Sequence, residues 1–252
     1  QGKAVAALAA YQGHLEVLQW LRARGCPWDI RTSNSAAENG HLDVLKWIHE
    51  RGCPPSSRAA YLAAEEGHLG VLKWMKAVKY PLGTGLCSAA AGEGHLEVLK
   101  WARAQKFSLN AHTSNSAASG GHVDVLKWLI DQGCPLPVNT HASCSAAASD
   151  GHLEVLQLLR AGGCVWDDRT CRAAASSGQL RVLQWMRSEG CPWDRFTCSA
   201  AAKGGHLELL KWARAGGCPW DETTTWNAAR GGHLDVLKWA RMKHCPWDKA
   251  EC

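Results

Sequence analysis

The chain has 252 residues, 46% of them hydrophobic and 20% charged, with a formal net charge of +5 at pH 7. That length allows one or two globular domains with a substantial core, and no apolar run reaches the roughly 20 residues a membrane-spanning helix requires. The charge is mildly basic, short of the dense basic footprint of a dedicated nucleic-acid binder. Composition is skewed towards Trp (14) and Cys (12), with only 3 Tyr and 2 Phe, which is how a chain looks when one short pattern has been copied.

A Gly-His pair sets the register, at Gly13-His14, Gly40-His41, Gly67-His68, Gly94-His95 and Gly121-His122 in the first half. It continues at Gly151-His152, Gly205-His206 and Gly232-His233, with Gly178-Gln179 in the one gap. The step is 27 residues throughout, except for 30 between Gly121 and Gly151. The three extra residues fall within 135–141, so residues 1–252 read as a single repeat array with one small insertion. The chain opens at Gln1, inside an expected helix, and stops at Cys252, at the expected start of another, so it reads as a piece of a longer protein.

The unit from Asp194 to Asp221 shows the expected elements. Asp194, just before the run Thr197-Cys198-Ser199-Ala200-Ala201-Ala202, is an N-cap signal for a first helix. Gly204-Gly205 breaks that helix. A second helix then runs from His206 to about Ala215, with Leu207, Leu209, Leu210 and Ala213 on one stripe. Glu208 in its first turn and Arg214 in its last suit the helix dipole. Gly216-Gly217 ends the helix and Pro219 prevents its continuation. One such unit buries too little to offset the entropy of ordering its backbone, so stacking on neighbours must supply the difference. The expected fold is all-α: a helical solenoid of about nine helix–turn–helix repeats.

The stretch Ala-Ala-x-x-Gly-His-Leu-Glu-Val-Leu resembles the centre of the ankyrin repeat, as does the 12-residue spacing from the marker Gly to the Gly before Cys. The match recurs in every unit and covers the whole chain. It resembles the divergent, short, Trp/Cys-rich ankyrin arrays of giant DNA viruses, amoebae and algae. The unit is six residues shorter than the usual 33 and lacks the Thr-Pro-Leu-His start, so the β-hairpin finger is expected to be reduced or absent. A Gly-Cys-Pro-Trp-Asp corner stands in its place. The resemblance implies a stack whose concave face is lined by the first helices.

The polar columns read as scaffold. Each marker His is expected to cap or bridge the turn between its two helices. Neighbouring His cannot share zinc, whose ligands sit at about 2.0–2.1 Å from the metal, because residues one repeat apart are separated by about 9 Å. The Cys form a corner column (Cys26, Cys53, Cys134, Cys164, Cys191, Cys218, Cys245) and a first-helix column (Cys87, Cys144, Cys171, Cys198, Cys252). Without a standard zinc spacing, they read as buried reduced thiols of a cytoplasmic or nuclear compartment. Trp20, Trp47, Trp74, Trp101, Trp128, Trp185, Trp212 and Trp239 on the second helices, and Trp28, Trp166, Trp193, Trp220 and Trp247 at the corners, are expected to cover the seams between repeats. Lys46, Lys73, Lys100, Lys127, Lys211 and Lys238 form a basic row. Asp43, Glu97, Asp124, Glu208 and Asp235, three places before most of them, should largely neutralise it. No phosphate loop, His-Glu-x-x-His or nucleophile elbow is present.

Function is therefore expected where repeats differ. The position six before the marker Gly carries Asn34, Tyr61, Asn115, Arg172 and Trp226; the position two before it carries Glu38, Glu65, Lys203 and Arg230. Both rows are expected on the concave face, the second running from acidic to basic along the chain. Tyr61, Arg172 and Trp226 are residue types enriched at binding hot spots. The reading is a non-catalytic protein–protein interaction scaffold with another protein as partner and no catalytic residue, cofactor, metal or small-molecule substrate. A structural subunit of a larger assembly is the alternative, and a nucleic-acid-binding solenoid is the less favoured one.

Overall fold

A computed structural model describes residues 2–136 and 141–247. Among these residues there are 18 α-helices and no strand. The 27-residue unit is thus a bare helix pair, and the finger hairpin is absent from the described repeats. The inserted residues lie largely in 137–140, and Cys252 at the chain end, both outside the described residues.

The chain divides into two compact units, Gln1–Pro135 and Leu136–Cys252. The first holds α1 (Gly2–Tyr11), α2 (Leu15–Ala23), α3 (Ile30–Glu38), α4 (Leu42–Glu50), α5 (Ser57–Glu65), α6 (Leu69–Ala77), α7 (Leu86–Gly92), α8 (Leu96–Ala104), α9 (Ala111–Ser119) and α10 (Val123–Asp131). The second holds α11 (His141–Ser149), α12 (Leu153–Ala161), α13 (Asp168–Ser176), α14 (Leu180–Ser188), α15 (Arg195–Lys203), α16 (Leu207–Ala215), α17 (Glu222–Arg230) and α18 (Leu234–Met242).

Within each unit the odd-numbered first helices pack on one another along the row, and each even-numbered helix packs on its own first helix. Alanine makes this possible. Ala36, Ala37, Ala63, Ala64, Ala117 and Ala118 are fully buried in the first unit, and Ala174, Ala175, Ala201 and Ala202 in the second. Side chains of one carbon let neighbouring first helices approach closely without voids. The second helices supply the bulk: Leu45, Ile48, Leu72, Met75, Leu126 and Leu129 in one unit, and Leu156, Leu159, Leu183 and Met186 in the other, are fully buried.

The helix ends follow the sequence. Asp29, Asp167, Asp194 and Asp221 cap first helices, each carboxylate accepting from the second backbone N–H of its helix. At Asn110 and Asp194 the box closes, with Thr113 and Thr197 accepting from the cap residue's own N–H. The second helices end in a left-handed residue followed by the corner. Gly217 adopts φ +84°, its N–H reaches the Arg214 carbonyl at 3.0 Å, and the Cys218 N–H reaches Ala213 at 3.0 Å. This is the Schellman closure. Lys79, Lys106 and His244 hold the same left-handed position without glycine, at φ 61°, 65° and 61°.

Candidate partner interface

The repeating polar groups are consumed in holding the stack. The marker His does not cap its own helix: none of the His N-caps makes a side-chain cap bond. Instead Nε2 donates to a carbonyl 30 residues earlier, in the preceding repeat. The pairs are His41 to Tyr11 at 3.0 Å, His95 to Glu65 at 2.7 Å, His122 to Gly92 at 2.8 Å, His206 to Ser176 at 3.1 Å and His233 to Lys203 at 2.9 Å. The expectation of a bridge within one unit is therefore corrected to a bridge between units of the repeat. Only an acceptor faces Nε2, so the proton sits on that nitrogen. Gln179 makes the same link, its Nε2 donating to Ser149 at 3.1 Å. Its place in the one gap of the His column is thereby explained.

The same contact fixes the marker glycine. Gly94 has φ +80°, and a Cβ there would meet His122 Nδ1 at 2.5 Å. Conformation and space both demand glycine.

The corner is a second knot. Corner thiols donate to the carbonyl of the cap residue 24 positions earlier: Cys53 to Asp29 at 3.3 Å, Cys134 to Asn110 at 3.2 Å and Cys218 to Asp194 at 3.3 Å. At four corners an Arg four residues before the Cys donates to its carbonyl, as Arg160 does to Cys164 at 3.2 Å and Arg241 to Cys245 at 3.0 Å. Arg187 and Arg214 make the equivalent bonds to Cys191 and Cys218. The guanidinium then lies over the corner Trp, 4.1 Å from the Trp193 ring and 4.2 Å from Trp220. Four corner Trp (Trp28, Trp166, Trp193 and Trp220) each meet a second-helix Trp edge-on, as Trp193 does Trp212 at 5.6 Å and Trp220 does Trp239 at 5.7 Å. The Trp columns thus act as seam covers and Arg clamps.

The Cys144 and Cys164 sulfurs lie in direct contact, with Cα atoms 7.5 Å apart, wider than a disulfide spans. The two sulfurs face each other because first-helix and corner columns meet across a 20-residue step; at Cys171 and Cys191 the same step leaves a thiol–thiol contact of 3.1 Å. Burial pushes the Cys53 thiol up, and those of Cys87 and Cys245 to about 11. Cys198 is raised first by its hydrogen bond to Cys218 and then by burial.

The Lys row is less neutralised than expected. Lys100 reaches Glu97 and Lys211 reaches Glu208, both at 2.7 Å. Among the described residues no ion pair joins Lys46, Lys127 or Lys238 to the Asp three places earlier; Asp is one carbon shorter than Glu.

The variable rows lie on one side of the first helices, because positions four apart share a face. In the first unit Asn34 accepts from Ser56 Oγ at 2.9 Å, which ties it to the next repeat's cap. Tyr61 is half-buried under the Arg58 guanidinium, 4.8 Å above its ring. Burial, followed by the charge of Glu65 one turn on, pushes the Tyr61 hydroxyl pKa up. Glu38, Glu65 and Asn115 are partly exposed on the same side.

In the second unit the rows line a shallow open pocket of about 430 Å³. Arg172 and Lys203 are in its wall, with Arg169, Phe196, Ser199 and Asn227. Arg172 bonds Asp168 at 2.7 Å and Asp194 at 3.2 Å and lies 4.8 Å over the Phe196 ring. It therefore ties α13 to the cap of α15. Trp226 and Arg230 stand on α17, the guanidinium 5.1 Å from the indole, and Trp226 is 51% exposed. Phe196, Arg169 and Asn227 were not among the expected site residues. Phe196 and Arg169 sit nine places before the marker Gly, one turn ahead of Arg172's row, and this third variable position was the signal that could have found them.

The architecture is a helical solenoid of ankyrin-type repeats. A family model described as ankyrin repeats (many copies) matches residues 86–130, which span α7 to α10. Among solved structures, the chain is similar to the human ASB11 ankyrin repeat domain, with 21% identity and a TM-score of 0.51, covering 64% of this chain and 84% of that one. By sequence, no curated protein matches the chain. No helix among the described residues is long and apolar enough to cross a membrane.

Proposed function

We propose that the chain is a non-catalytic scaffold that binds a partner protein on the exposed face of its first helices, the concave face of the resembled family. The observation that carries this is the division of labour among polar groups. The repeating His, Cys, Arg and corner Trp close bonds within the stack, whereas the non-repeating positions gather on one face and hold an exposed aromatic, Trp226. Exposed aromatic and Arg side chains at variable positions are the usual anchors of an interface. The short Trp/Cys-rich repeat type and a reducing cytoplasmic or nuclear setting are part of the same reading. Partners captured on the intact array should be lost when Tyr61 and Trp226 are both replaced by Ala while helicity stays unchanged. Undiminished capture by that variant would contradict the proposal. Arg172 is left intact in this test because its two carboxylate contacts hold neighbouring repeats together.

A further inference from the structure

The first-helix faces of the two units differ in charge. In the first unit the position two before the marker Gly carries Glu38 and Glu65, with Glu66 and Glu93 exposed beside it. In the second unit the same position carries Lys203 and Arg230, both exposed. Among the described residues no carboxylate lies within ion-pair distance of either. Arg172 is different: Asp168 and Asp194 already satisfy its charge. The unbalanced positive charge of this face therefore belongs to Lys203 and Arg230.

Two apolar surfaces stand beside these cations. Phe196 is 38% exposed in the pocket wall with Lys203, and Trp226 lies under Arg230. No acidic residue lines the pocket. Resting on the reading of this face as a protein interface, we infer that its ligand in the second unit is an acidic peptide segment. Its carboxylates pair with Lys203 and Arg230, and a flanking aliphatic side chain reaches along α15 to Phe196 in the same pocket wall. The spacing suits an extended strand. Neighbouring first helices lie about 8–10 Å apart, and a strand advances about 3.3 Å per residue, so acidic residues three apart reach both cations.

The test uses the full chain and a fluorescein-labelled peptide of repeating Glu-Leu-Ser, read by anisotropy. The same peptide with Lys for Glu and a single-stranded uridine oligomer serve as comparisons. The Glu peptide is expected to bind, to weaken at least about tenfold in the K203E/R230E variant, and to weaken as salt screens the pairs. F196A is expected to weaken it with little change in salt dependence. Equal binding of the Lys peptide, indifference to K203E/R230E, or tighter binding of the uridine oligomer would overturn the inference. Native partners separate the two readings. If they are lost on Y61A/W226A and unaffected by K203E/R230E, only the acidic ligand fails; if neither variant affects them, the interface itself fails.

Discussion

His122 donates from Nε2 to the carbonyl oxygen of Gly92, in the repeat before its own, at 2.8 Å. The bond satisfies a carbonyl at the end of α7 and joins consecutive repeats where no strand pairing is available. H122A should lower unfolding stability by about 1–2 kcal/mol, the cost of a lost bond and an unsatisfied carbonyl. H122Q should recover most of it, because Gln179 makes the same link to Ser149. Urea denaturation of the two variants checks this; equal losses would show that the side-chain bond contributes nothing.

Gly94 faces that imidazole. G94A must adopt φ near +80° and push a Cβ into His122 Nδ1. Gly133 has φ +72° with nothing within 4 Å of a Cβ. G133A should therefore cost only the left-handed penalty of about 1–2 kcal/mol, and G94A clearly more. The excess should shrink when H122A is added, and a double-mutant cycle measures that coupling.

Lys106 occupies the left-handed closing position of α8 at φ 65°. Six other second helices place glycine there, at Gly25, Gly52, Gly133, Gly163, Gly190 and Gly217. K106G should relieve the strain and raise the thermal midpoint, by about 0.5–1 kcal/mol in free energy after the greater freedom of unfolded glycine is counted. A lower midpoint would mean that the Lys106 side chain contributes more than its backbone costs.

Cys87 and Cys245 have pKa values raised by burial from 9.0 to about 11. Below about pH 9 these thiols are protonated in folded and unfolded chains alike. Between about 9 and 11 the unfolded chain releases the protons and the folded chain does not, so stability falls as pH rises through that window. C87A/C245A should show a shallower fall between those pH values in parallel denaturant titrations. An unchanged slope would place the alkaline sensitivity elsewhere.

The repeat, the helix pair, the Asp caps and the missing finger were legible from period and residue type, because each depends on local backbone preference. The role of Gly178-Gln179 was not, nor that of the His column, since both act on a carbonyl 30 positions away and only stacking reveals the acceptor. The corner thiols hid a similar long reach, and the 20-residue step that brings Cys144 to Cys164 carries no local signature. Arg172 was legible as a non-repeating residue of the first helix. Its pairing with Asp168 is a local i,i+4 contact, whereas its bond to Asp194 depends on the neighbouring cap and could not be read from its own repeat. Phe196 went unseen because only two of the three variable rows on the helix face were compared.

The most direct measurement is site-specific photo-crosslinking in cells that contain the native partner. A benzophenone side chain is placed at Trp226 on the first-helix face, or at Lys238 on the second-helix surface. A discrete protein adduct from position 226 and none from 238 is the predicted result. Adducts from 238 alone, or equally from both, would contradict a partner bound on the first-helix face.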